Sequence, residues 1–254
     1  QSLLAYLLLH RDAPLSRHHL AFVLWPDSTD TQALTNLRNL LHLLRQALPE
    51  SERFLNVDRH TLQWHSGAPF TLDVTDFDEI DGVAARYRDV PIDVLINNAG
   101  ILGGNETQQF GSFDYSAFDA VMHVNTRGPI KMVEAFVDHV AASDQKKIMN
   151  ISSAVGSIRL SFGGQTFYRA SKAALNMSMR NISREMKRSK DPDRKLLIFG
   201  LIDPGIVKTD FAKNVPVPMI EPEESAAAVI TVIDGYTVKD SGKFFSYTGK
   251  QMPW

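Results

Sequence analysis

The sequence predicts an α/β protein: an incomplete, doubly wound parallel sheet preceded by a small α+β segment. Three observations carry this. From Phe70 onward, short β-rich runs alternate with helical stretches, as parallel sheets require. Glycine is scarce early, with Gly67 the only one before Gly82. Cations are also segregated: the first 130 residues hold nine arginines and no lysine, and the remainder holds all twelve lysines. The change of character near residues 66–80 predicts two parts, 1–72 and 73–254.

Composition limits the function classes. The 254 residues carry a formal net charge of −2, with 44% hydrophobic and 22% charged residues. That suits a folded globular chain and supplies no global basic field for nucleic acid or membrane surfaces. There are no cysteines, so disulfides, thiolate nucleophiles and cysteine metal sites are excluded. The apolar run Leu3 to Leu9 is far shorter than the roughly 20 residues of a membrane span, and it lacks the flanks of a signal peptide. The expectation is a cytoplasmic protein with no membrane association and no metal.

Leu3 to Leu9 predict a short apolar helix. Ala13-Pro14-Leu15 reads as a connector, and Ser16 as the N-cap of a second helix ending near Trp25-Pro26. Ser28, Thr29 and Asp30 can cap a third helix running to about Leu48, before Pro49. In it Leu34, Leu37, Leu41, Leu44 and Leu48 recur at three and four residues and form one apolar face. The opposite face holds Thr31, Thr35, Arg38, Asn39, His42, Arg45 and Gln46, with no acid. Arg53 to Val57 and Thr61 to Trp64, joined through Asp58-Arg59-His60, predict a hairpin.

Three helices and a hairpin, with a donor-rich third helix, match helix-turn-helix DNA readers. Residues 1–72 resemble the winged-helix domain of bacterial transcriptional activators. By that resemblance Arg38, Asn39, His42 and Arg45 face a DNA groove. The competing reading is a solvated helix face, because the segment balances six arginines with six acids and lacks the basic stripe of a duplex binder.

In the second part, Phe70 to Val74, Ile92 to Asn98, Lys147 to Ser152, Leu196 to Ile202 and Lys243 to Tyr247 predict strands. Helical stretches are expected at about Phe77–Arg88, Tyr115–Ala142, Tyr168–Lys187 and Glu221–Ile233. Tyr168 and Lys172 lie four apart in YRASK, hence on one helix face. A lysine ammonium one turn from a phenol favours phenolate, which would bring the tyrosine from its reference pKa of about 10 toward the working range.

The ordered series LDVTD at 72–76, NNAG at 97–100, VNTRGP around Asn125, ISSAVGS from Ile151, YRASK, and PGIVKTD from Pro204 resembles the short-chain dehydrogenase/reductase family. Its nearest branch is the small carbonyl reductases that include C-factor-like proteins. The resemblance runs from about Leu72 to Trp254 and implies a Rossmann-like domain. It also implies an oxidoreductase that moves hydride between NADP(H) or NAD(H) and a small carbonyl or alcohol substrate. Tyr168 becomes the proton donor, Ser153 the hydrogen-bonding partner of the substrate oxygen, and Lys172 the partner of Tyr168 and of the nicotinamide ribose. Asn125 would hold a water linking Lys172 to solvent. Asn97, Ala99 and Gly100 would line the cofactor, with Asp73 near the adenine. Pro204, Gly205, Ile206 and Val207, with Thr209, would hold the carboxamide end. The neighbouring Ser152 is the alternative to Ser153, and NNAG could serve the sheet alone. The same resemblance implies a homodimer or homotetramer paired through the helices around Asn125 and Tyr168. The loop from Phe211 to Pro222, with Val215, Val217, Met219 and Ile220, suggests an apolar substrate.

The family's opening strand, its glycine-rich TGxxxGxG turn, the following helix and the second strand have no counterpart before Leu72. A pyrophosphate cradle needs several glycines at a helix start, and residues 1–81 contain only Gly67. The expected consequences are an exposed edge on the fourth strand, an orphaned third strand and weakened cofactor binding. A chimera, a pseudoenzyme and completion of the site by a partner's strand are the alternatives.

Overall fold

The structure, a computed structural model, describes residues 13–26, 28–47, 54–64, 72–212 and 218–254, together with Leu3 and Leu7. The expected contributions of Leu48, Pro49, Arg53, Phe70, Val215 and Val217, and of the Leu3 to Leu9 run apart from Leu3 and Leu7, lie outside the described residues. The chain divides into two compact units, Gln1–Thr71 and Leu72–Trp254.

The first unit contains β1 (Leu15–Ser16), α1 (Arg17–Leu24), α2 (Asp30–Ala47), β2 (Leu55–Val57) and β3 (Thr61–Trp64). Ser16 caps α1 by accepting a hydrogen bond from the His19 backbone N–H, which satisfies one of the orphan donors at a helix start. Leu20, Leu37, Leu41, Leu55 and Leu62 join Leu3 and Leu7 in one apolar core. The antiparallel sheet has the order β1-β3-β2. Leu15, expected in a connector, instead pairs with Leu62. Its apolar side chain and free backbone groups complete the open edge of the hairpin. Asp58 closes the hairpin turn, with one carboxylate oxygen accepting from the backbone N–H groups of His60 and Thr61, both at 2.6 Å. These bonds and one from the Thr61 hydroxyl hold its carboxyl at about 2.

The second unit contains α3 (Phe77–Arg86), β4 (Val94–Asn97), α4 (Tyr115–Met122), α5 (Gly128–Ala141), β5 (Lys147–Ile151), α6 (Thr166–Met186), α7 (Pro192–Lys195), β6 (Ile198–Asp203), α8 (Pro222–Gly235) and β7 (Lys243–Ser246). The four strands form a parallel sheet in the order β4-β5-β6-β7. Every residue of β6 is buried, as expected of a strand covered on both faces. Alternation along the strands divides the core. Ile148, Phe199, Leu201 and Phe244 pack with Ile80, Val133, Phe136, Leu175 and Met179 of α3, α5 and α6. On the other face Met149, Ile198 and Ile202 pack with Ile233 and Tyr236 around α8.

Two expectations are corrected. Leu72 to Val74 form no strand. The described sheet offers that segment no neighbour, and local bonds take its backbone: the Asp73 N–H donates to Glu79, while the Asp73 carboxylate accepts from the Thr75 N–H and hydroxyl, all at 2.8 Å. Asp76 then caps α3 through the Glu79 N–H at 2.9 Å. The helix expected over Tyr115–Ala142 is broken by a π-turn at His123–Arg127. Its Asn125 and Thr126 side chains bond elsewhere, as described below.

Candidate active site

The carboxyl ends of β5 and β6 and the first turns of α6 bring together Ser153, Tyr168, Lys172 and Asp203. Thr166 starts α6, so Tyr168 and Lys172 occupy its first two turns and are 7% and 4% exposed. The Ser153 side chain acts on the phenol and lowers its pKa, and the Lys172 ammonium lies 5.8 Å from the Tyr168 ring centroid. Lys172 Nζ donates to the Ile151 carbonyl at 2.9 Å, at the end of β5. The two serines are thereby distinguished. Ser152 is turned inward and donates to Asn176 Oδ1 at 2.6 Å, whereas Ser153 begins the turn facing the phenol.

The expected lowering of the Tyr168 pKa is not found. Burial pushes the phenol up to about 12; Ser153 pulls it back in part, and the Asp203 charge adds to the rise. Burial also pulls Lys172 down to about 8. The physical reason is that desolvation disfavours both charged forms, phenolate and ammonium. Lys172 directs its bond at a carbonyl rather than at the phenol.

Asn125 is fully buried, with Oδ1 accepting from the Ile101 N–H at 2.8 Å and Nδ2 donating to the Ile101 carbonyl and the Ser171 hydroxyl. Thr126 donates to the Ser171 carbonyl at 2.9 Å. The π-turn therefore ties α6 to the chain leaving β4, and such turns recur at functional sites. A Cβ on Gly100 would lie 3.4 Å from Asn125 Oδ1 and 3.5 Å from Lys172 Nζ, so both polar groups border this glycine. Asn97 spends its amide on Asn150 inside the sheet, at 2.9 Å. Its side chain supports strand pairing, while the following Ala99 and Gly100 remain at the strand exit.

Pro204 and Gly205 follow β6. Gly205 has φ +79°, and a Cβ there would lie 2.8 Å from the Tyr247 ring, so glycine serves both the turn and the close approach. Val207 pairs in an isolated bridge with Ile220, and Thr209 is exposed. Asp73 is exposed and held below the usual carboxylate range by its bonds to Thr75. Phe211 packs against Tyr168, its ring tilted by 60° with centroids 5.5 Å apart, placing apolar surface beside the phenol.

Sequence reasoning missed Asp203 and Gln108. An acid ending the apolar run of β6 was a visible signal for Asp203, whose carboxyl is raised by burial. Nothing in the local pattern marked Gln108. In the first unit Arg38, Asn39, His42 and Arg45 are exposed on α2. Among the described residues no helix is long and apolar enough to cross a membrane, and no group of three histidines or acids could hold a metal ion.

A parallel α/β sheet with a buried tyrosine and lysine and a half-buried serine at its strand ends defines an oxidoreductase class. The chain belongs to the short chain dehydrogenase family, whose model matches residues 57–218. It is 33% identical over 165 residues to the C-signal of Myxococcus xanthus, covering 65% of this chain and 93% of that protein. Over 188 residues it is 34% identical to the 1-hydroxy-2-glutathionyl-2-methyl-3-butene dehydrogenase of Rhodococcus sp. (strain AD45), covering 72% of this chain and 78% of that one. Among solved structures, the NADPH-bound carbonyl reductase from chicken fatty liver superposes with a TM-score of 0.63 at 30% identity, covering 72% of this chain and 75% of that one. The carbonyl reductase Sniffer of D. melanogaster gives 0.63 at 27% identity, covering 73% and 77%.

Proposed function

We propose that the Leu72–Trp254 unit reduces a small, apolar ketone or aldehyde with NADP(H) or NAD(H). The carrying observation is the buried Tyr168 phenol with the Lys172 ammonium 5.8 Å from its ring centroid and Ser153 acting on its hydroxyl. The residues present fit the nicotinamide–ribose end of such a cofactor: Gly100 brings no side chain against Lys172 Nζ, which a Cβ there would touch at 3.5 Å, and Lys172 has N–H donors beyond the one given to Ile151. They do not provide the pyrophosphate cradle, because residues 1–81 hold only Gly67. Affinity for the cofactor is therefore expected to be weak. The cofactor, when bound, supplies the hydride.

The rest is the work of this chain. Ser153 donates a hydrogen bond to the substrate oxygen and orients it toward Tyr168. Tyr168, kept protonated by burial, gives its proton to that oxygen as negative charge develops there. The Lys172 ammonium stabilises the phenolate left behind. The Lys172 ammonium then returns a proton to the Tyr168 phenolate, and Asn125 Oδ1 retains a lone pair for a water through which Lys172 is recharged from solvent. Phe211 excludes bulk water from the phenol.

The test is a thermal-unfolding scan with millimolar NADP(H) or NAD(H), followed by carbonyl-dependent NADPH oxidation. A ligand at about 100 times its Kd adds roughly 2.7 kcal/mol of stability, a shift of several degrees. Turnover abolished in Tyr168→Phe supports the reading. A wild-type chain that oxidises no cofactor with any carbonyl sinks it.

The second reading concerns the first unit alone. The exposed α2 face with Arg38, Asn39, His42 and Arg45 supports duplex DNA binding by a winged-helix-like domain. Salt-sensitive retention of a DNA duplex, lost in the Arg38→Ala, Arg45→Ala double variant, is the result that would favour it.

A further inference from the structure

Helix α6 begins without a cap of its own. Gln165 precedes it in the left-handed region at φ +49° and makes no side-chain capping bond. The third residue of the helix is Tyr168, whose N–H is one of the orphan donors that a capping side chain normally takes. That N–H instead donates to Gln108 Oε1 at 2.9 Å, from a residue 60 positions earlier.

Gln108 is 3% exposed. Its Nε2 donates to the carbonyls of Leu102 at 2.8 Å and Gly104 at 2.7 Å. The partners fix the amide's orientation, since two carbonyls face the NH₂ group and an N–H faces the oxygen. One side chain thus joins the chain leaving the NNAG end of β4 to the backbone of the tyrosine. Asn125, by binding Ile101 and Ser171, links the same two segments one helical turn further along.

We propose that Gln108 is the positioning residue for Tyr168: a distant N-cap that sets the depth of the phenol relative to the strand end where Gly100 meets Lys172. This rests on the reductase reading for its catalytic consequence, but not for the cap itself. Losing the Gln108 side chain frees the Tyr168 N–H and lets the first turn of α6 fray, so that the phenol leaves its place beside Ser153. The middle of α6, held by Leu175 and Met179 in the core, stays in place.

The test compares wild type with Gln108→Met, which keeps length and removes the polar atoms, and Gln108→Glu, which keeps an acceptor for the Tyr168 N–H. Residue-resolved amide exchange is measured on the full chain, with kcat and the cofactor KM measured in parallel. In Gln108→Met the Tyr168 amide should exchange about tenfold faster, the loss of roughly one hydrogen bond, while the Met179 amide keeps its wild-type rate. In Gln108→Glu the Tyr168 amide should stay within about threefold of wild type. Where the wild type turns over, kcat should fall about tenfold in Gln108→Met with the cofactor KM unchanged. A wild type that shows no turnover defeats the reductase reading, and the Tyr168 amide still decides the cap. Wild-type exchange at Tyr168 in Gln108→Met overturns the proposal. So does equal acceleration along all of α6, which would make Gln108 a general stabiliser, and so does an unchanged kcat in an active enzyme.

Discussion

The Asp203 carboxylate accepts a hydrogen bond of 2.9 Å from the Ala154 backbone N–H. The end of β6 therefore holds the turn that presents Ser153. The Gly205 backbone N–H lowers the pKa of the same carboxylate, so one buried acid senses both the serine turn and the Pro204-Gly205 turn. Its negative charge also raises the Tyr168 pKa.

Asp203→Asn separates these effects, because the amide oxygen still accepts while the charge is lost. The Tyr168 phenol should then titrate below its wild-type position of about 12. Ultraviolet difference titration against the same variant carrying Tyr168→Phe measures this. An unshifted phenol would show that the Asp203 charge does not reach it.

Lys172 titrates near 8 in the folded chain, and kcat/KM reports groups of the free enzyme. Carbonyl reduction should lose its kcat/KM as pH rises through about 8, where the ammonium beside the phenol is discharged. Tyr168 keeps its proton far above that point and cannot be the cause. In Lys172→Arg this limb should vanish, since a guanidinium stays charged; a limb that persists contradicts the assignment.

The same two shifts set opposite trends in stability. Lys172 falls from 10.5 unfolded to about 8 folded. Between these values the unfolded chain binds more protons, so the Lys172 contribution rises with pH. Tyr168 climbs from 10.0 to about 12; there the folded chain binds more protons and its contribution falls with pH. Denaturant titrations across this range should show the Lys172 rise flattened in Lys172→Met and the Tyr168 fall removed in Tyr168→Phe.

Gly156 follows Ser153 so closely packed on α6 that a Cβ would lie 2.8 Å from Lys172 Cβ and 2.9 Å from the Lys172 carbonyl carbon. Gly156→Ala should cost about 1–3 kcal/mol of stability, as overpacking does. It should lower turnover as well, because the turn that presents Ser153 must move off the helix. Gly82→Ala, with open space at its Cβ and a place inside α3, is the packing control. Equal losses in the two variants would show that packing on Lys172 is not the cause.

Much of the α/β unit was legible because its signals are local. Lys147 to Ile151 and Ile198 to Asp203 are apolar runs bounded by polar turns, and YRASK places Tyr168 and Lys172 on one helix face by spacing alone. The segment at Leu72 to Val74 shows the limit of such reading. Its residues favour a strand, but a strand needs a neighbour to pair with, and the Asp73 turn takes its backbone bonds instead. Leu15 shows the converse: β3 supplied a partner, and a residue read as connector became a strand.

The sequence by itself determined most of the strand–helix alternation of the second unit, through periodicity, and pointed to the family through the resemblance of its ordered motifs. Only the tertiary structure decided what the groups at the strand ends do to one another. Burial raised the Tyr168 pKa where spacing to Lys172 had suggested a fall, because desolvation depends on every element packed around the phenol. Gln108 and Asp203 entered the site for the same reason. Their partners lie 60 and 49 residues away in the chain, a distance that no local pattern spans and that folding reduces to one hydrogen bond.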